Sequence, residues 1–141
     1  MLNVFKTDVW STTIDDKPGG LIAKIEDLVV KGNLNLEFLL AQRLSEDQDK
    51  GSLFLLPISG ERQQAIAERA GFVRNDRVFG LRVTGNDEPG IGYRILKALA
   101  DRGVNLRAVS AAALRDQFVM YLALDSAADA ELATKILSSQ S

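Results

Sequence analysis

The chain has 141 residues, 46% of them apolar, with a formal net charge of −2 and neither Cys nor His. That is enough apolar material for a real core, and the mixed charges are those of a folding chain rather than a disordered one. The acidic balance supplies no basic face for nucleic acid or an anionic membrane. Without Cys and His there is no thiolate nucleophile, no thiolate metal site and none of the commonest general base, so an enzyme is disfavoured and neither a metal nor a cofactor is implied. Residues 1–6 lack the pattern of a secretory signal, and no apolar run reaches membrane-spanning length, so the expected setting is cytoplasmic.

Met1-Leu2-Asn3 is the first short segment suited to a strand. A second stretch, Val9 to Ile14, is rich in β-branched residues and leads to Asp16-Lys17-Pro18-Gly19. The pattern returns as Val78 to Val83 and Asp87-Glu88-Pro89-Gly90, with Pro18 and Pro89 standing 71 positions apart. Looking for repeats first therefore halves the chain. After each Pro-Gly comes a helical stripe, Leu21, Ile22, Ile25, Leu28 and Val29 in one copy and Ile91, Ile95, Leu96 and Leu99 in the other. Gly32 and Gly103 are the expected stops.

A second strand follows each helix, Leu34 to Leu40 and the Ala-rich Leu106 to Leu114. The third strands are Leu53 to Leu56 and Phe118 to Leu124, entered through a long acidic turn from Ser45 to Gly51 and a tight one at Arg115-Asp116. Ser59 and Ser126 stand as N-caps of a last helix in each copy, and Gly71 closes the first of these. Phe72-Val73-Arg74 offers a fourth strand to the first copy, but nothing strand-like follows the second. The shift of 71 sets Met1-Leu2-Asn3 opposite Phe72-Val73-Arg74, so residues 1–6 are the spare edge strand.

These elements predict an α+β fold of two tandem ferredoxin-like βαββαβ modules, with antiparallel sheets and the helices on one face. The expected modules are 1–74 and 75–141, with 1–6 available to complete the second. Modules of under ~75 residues are marginal alone, so pairing within or between chains is expected.

Asp-x-Pro-Gly reads most simply as a helix start, with Pro preset for the first turn. It also reads as a ligand site, because free N–H groups at a helix N-terminus donate to carboxylates and Gly permits close approach. Asp16 or Asp87 would then receive an ammonium group. At the far end of each helix, Asn33 and Asn35, and Asn105, are amides that serve either the turn or a ligand.

The order of polar residue, Pro-Gly, apolar helix, Gly-x-Asn and apolar strand, found twice, resembles the ACT domain family. The resemblance implies a regulatory module that binds amino acids between paired modules. Its contacts, carried over by position, are Asp16, Gly19 and Gly20 with Asn33 or Asn35, and Asp87, Gly90 and Ile91 with Asn105. Where some serine-binding members carry His, this chain has Ile14 and Gly85. The Gly103-Val104-Asn105 spacing, uninterrupted in the second copy only, predicts binding there at least as good as in the first. A homo-oligomer and a metabolic enzyme as partner are further implications. Two readings compete with the sensor: an assembly module without a small ligand, and an acyl-phosphate hydrolase, whose anion loop would need Arg where Asp15 and Asp16 stand.

Overall fold

A computed structural model describes residues 1–44 and 49–140. Its strands are β1 (Asn3–Thr7), β2 (Trp10–Asp15), β3 (Phe38–Arg43), β4 (Lys50–Leu56), β5 (Val73–Arg74), β6 (Phe79–Asn86), β7 (Leu106–Leu114) and β8 (Gln117–Leu124). Its helices are α1 (Gly20–Val30), α2 (Gly60–Arg69), α3 (Ile91–Asp101) and α4 (Ala127–Ser138). Residues 45–48 of the expected acidic turn lie outside the described residues.

The strands form two four-stranded antiparallel sheets, ordered β3-β4-β2-β5 and β1-β6-β8-β7. Alternation along β4 and β8 turns Leu53 and Leu55, and Phe118, Met120, Leu122 and Leu124, to one side. There they meet Leu28, Ile66 and Ala67 of one helix pair, and Ile95, Leu99, Ala133 and Leu137 of the other. Each sheet therefore carries its helices on one face, and the architecture is two tandem ferredoxin-like modules.

The chain divides into a unit of Asp8–Asn75 and a unit of Met1–Thr7 with Asp76–Ser141. In the second unit β1 takes the place of the fourth strand, pairing antiparallel with β6 from Asn3↔Thr84 to Thr7↔Gly80. Leu2, just before it, is 8% exposed and belongs to that unit's core. The fourth strand of the first unit is much shorter, because β5 covers only Trp10 and Ser11 of β2.

Two local expectations need correcting. Gly32 was expected in the left-handed C′ position of α1, but Asn33 adopts it, with φ 52°. The extra residue widens the end of the helix, so that Gly32 N–H bonds Asp27 O and Leu34 N–H reaches back to Leu28 O. Gly32 is needed instead for space, since a Cβ there would lie 2.7 Å from Leu28 O. In α3 the expected closure holds: Gly103 has φ 76°, and Val104 N–H bonds Leu99 O. The strand after α1 also begins later than its alternation suggests, at Phe38 rather than Leu34. Leu34 is buried beneath the helix end, and Glu37 N–H makes the first bond to the neighbouring strand, at Leu56 O. No helix among the described residues is long and apolar enough to cross a membrane.

Candidate ligand-binding site

The two Pro-Gly pairs build the same local structure, and it is not the first turn of a helix. Gly20 N–H bonds Lys17 O at 3.0 Å and Ile91 N–H bonds Glu88 O at 3.1 Å, with Gly19 at φ 83° and Gly90 at φ 82°. Proline at the second position and a left-handed glycine at the third define a type II turn. The helix begins only after it. Gly20 and Ile91 therefore use their own amides to close the turns, which leaves the next amides of the first turn, Leu21 and Ile22 in α1, without an intrahelical acceptor.

Gly20 is required for a different reason from Gly19. A Cβ on Gly20 would stand 2.0 Å from Asp15 O, so the backbone of β2 and the start of α1 touch directly. Beside this contact a cleft of about 510 Å³ opens in the first module. Its floor is Pro18, Gly19 and Gly20, and its charged walls are Asp15, Lys17, Lys24, Asp27 and Lys50. It lies along the part of β2 that β5 does not cover.

The electrostatics of this cleft come from a few exposed pairs. Lys50 Nζ donates to Asp15 Oδ1 at 2.6 Å, across the Asp15↔Lys50 step of the ladder. That hydrogen bond and charge hold the Asp15 carboxyl below its ordinary value, and Lys17 and Lys24 add to the effect. Lys24 Nζ donates to Ala70 O at 3.1 Å, at the end of α2. Asp27 leans toward Lys31 at 3.4 Å.

Of the residues singled out by sequence, Gly19 and Gly20 line this cleft. Asp16 does not: its carboxylate accepts from Arg43 Nε, whose guanidinium that partner holds above its ordinary pKa, and its N–H bonds Asp49 O. Asn33 supplies the helix-ending turn, and Asn35 is exposed beyond it. Both stand past the far end of α1, whose 11 residues measure about 16 Å. One amino acid cannot touch Gly19 and Asn33 of the same module.

In the second module Ile91 lines a cleft of only about 40 Å³, shared with Met1, Leu2, Glu88, Arg94 and Ile95. Arg94 donates to Glu88 at 2.7 Å and also to Pro89 O. Asp87 and Gly90 are exposed on the turn, and Asn105 is exposed just before β7. Sequence reasoning did not count Asp15, Lys17, Lys24 or Lys50 among the ligand contacts. The repeat itself carried a signal for one of them, because the shift of 71 sets Lys24 against Ile95 within the helical stripe.

No family model matches the chain, and no curated protein sequence does. Solved structures do. Protein BT0572 from Bacteroides thetaiotaomicron aligns over 94% of this chain and 88% of its own, with a TM-score of 0.75 at 19% identity. The regulatory subunit of aspartate kinase from Thermus thermophilus aligns over 97% and 94%, with a TM-score of 0.65 at 12% identity. A putative C-terminal regulatory domain of aspartate kinase from Porphyromonas gingivalis aligns over 98% and 95%, with a TM-score of 0.56 at 15% identity. The fold is that of tandem ACT domains. The ACT-type strand order, the Pro-Gly turn before the first helix and the duplication itself occur together in this one chain, and at these identities the likeness concerns the fold.

Proposed function

We propose that this chain is a non-catalytic regulatory protein that binds a free amino acid and acts by changing how ACT modules pair, in the cytoplasm and on a metabolic enzyme as partner. The open cleft at the Pro-Gly turn of the first module carries the reading. Its volume lies within the range of small-molecule sites, about 300–1,000 Å³. It combines open backbone at Gly19 with carboxylate and ammonium groups, the complement of a zwitterion. The naming of solved neighbours as regulatory parts of aspartate kinases supports the regulatory role.

In this reading Asn33, Asn35 and Asn105 reach a ligand only from a module standing alongside, because the length of the helix separates them from the turn of their own module. Asp16 and Asp87 border the turns rather than forming their floors. The exposed apolar side chains are consistent with such pairing: Ile22 and Val30 on α1, Tyr93 on α3 and Leu114 on β7 are 63%, 74%, 69% and 78% exposed. Those same side chains favour a second reading, a homo-oligomeric assembly module without a small ligand.

A thermal-shift screen of the full chain against the twenty amino acids, with light scattering on the same samples, separates the two. A ligand at one hundred times its Kd stabilises by ~2.7 kcal/mol, a clear rise in Tm. A stable dimer that no amino acid stabilises supports assembly alone and overturns the sensor.

A further inference from the structure

The two clefts occupy equivalent places in two copies of one fold, and they differ in a consistent way. Lys17, Gly20 and Lys24 of the first stand where the second has Glu88, Ile91 and Ile95. Lys50, opposite Asp15 in the ladder, stands where Gln117 lies opposite Asn86. The second cleft is closed by packing: Ile95 is 1% exposed, and Leu2 comes so near that a Cβ on Gly85 would lie 2.9 Å from its Cδ2. The charges of Glu88 and Arg94 answer each other.

The first cleft is open, and its charges are not matched. Asp15 is paired with Lys50, and Asp27 leans to Lys31. The Lys17 ammonium makes no hydrogen bond or ion pair among the described residues, its backbone alone being engaged in the turn, and the Lys24 ammonium bonds only a neutral carbonyl. Packing does not call for a lysine at position 24, since the other copy fills the place with a core isoleucine. An ammonium has three donors, so two remain on Lys24 after Ala70 O is satisfied. Among the described residues, two ammonium groups thus stand in one small cavity with no carboxylate hydrogen-bonded to either, the complement of a ligand with two acidic groups.

We propose that the first cleft takes a small dicarboxylate, an acidic amino acid, with Lys17 and Lys24 as its cationic partners, and that the second cleft takes no ligand. The amino-acid part rests on the function proposed above; the preference for two carboxylates rests on the lysines.

Calorimetry on the full chain with L-aspartate, L-glutamate, succinate, L-lysine, L-leucine and inorganic phosphate tests it. The expected result is one site per chain for L-aspartate or L-glutamate, weakened tenfold or more by Lys24→Ile and by Lys17→Glu. Both variants copy residues that the other module accommodates, and circular dichroism checks their fold. Lys24→Gln, which keeps a hydrogen-bond donor without the charge, should weaken binding as well. Succinate binding as tightly as the acidic amino acids would support the dicarboxylate and remove the amino-acid reading. L-lysine or L-leucine binding in preference would overturn the inference while leaving that reading intact. Phosphate binding alone, two sites per chain, or unchanged affinity in Lys24→Ile would each overturn it. No heat with any probe would overturn both.

Discussion

Leu2→Ala tests whether the first residues of the chain hold the module built by its last ones. Leu2 is 8% exposed and lies in the core cluster with Leu81, Val83 and Ile95. Buried Leu→Ala changes cost about 2–5 kcal/mol, the range reflecting how far the cavity relaxes. Here the side chain is not fully buried and lies at the edge of the core, where its neighbours can close in, which places the expected cost in the lower half, about 2–3 kcal/mol. Amide exchange through β6 and β8 should then speed up by roughly 30- to 150-fold, a factor of ten for each 1.4 kcal/mol. An internal control is available: Trp10 is the only tryptophan and is 3% exposed in the core of the other unit. Its fluorescence should follow urea unfolding of that unit with an unchanged midpoint. Unaltered exchange in β6 and β8 would refute the packing argument. A Trp10 midpoint displaced as far as the exchange data imply would refute its confinement to one module.

The Pro-Gly turn makes a graded prediction: Gly19→Ala meets nothing within 4 Å but must hold φ 83°, costing about 1–2 kcal/mol, whereas Gly20→Ala drives a Cβ into the Asp15 carbonyl and should lower Tm further. Thermal unfolding followed at Trp10 ranks the two, and equal losses would contradict the close approach. For the exposed Asp15–Lys50 pair, the folded carboxyl titrates below its ordinary 3.8, so the contribution of the pair is complete above that value and is lost as pH falls through the depressed one. Carbon-detected NMR should show the Asp15 midpoint rising toward 3.8 in Lys50→Met; no movement would assign the depression elsewhere.

Much of the fold was legible because repetition supplied what periodicity alone does not. The Ala-rich run from Leu106 to Leu114 has the composition of a helix, and only the first copy identified it as a strand; as an edge strand exposed along most of its length it needs no large apolar face. The place of β1 was legible by subtraction, since one module lacked a fourth strand and one segment had no module. The start of β3 was not legible, because Leu34 and Leu36 continue an alternation that burial under a helix end satisfies as well as a strand does. Nor was the turn: Pro-Gly before a helix fits a first helical turn and a type II turn equally, and the choice depends on which carbonyl the next amide meets.

The candidate site was legible in position and not in chemistry, and the reason lies in what a single-copy motif omits. Asp16 and Asn33 stand out by residue type, yet Arg43 holds the carboxylate of the one and the other makes the left-handed turn that ends α1. The groups that give the first cleft its charge come from a strand at Lys50, a helix face at Lys24 and the turn at Lys17, which no short pattern joins. Comparing the copies position by position joins part of the set, because duplication supplies its own control. Where both copies keep a residue, as at the two Pro-Gly turns, the fold accounts for it. Where one copy has Lys24 and the other a buried Ile95, packing accounts for the isoleucine, while one donor of the lysine caps α2 at Ala70 O and its charge is the part that the proposed ligand accounts for.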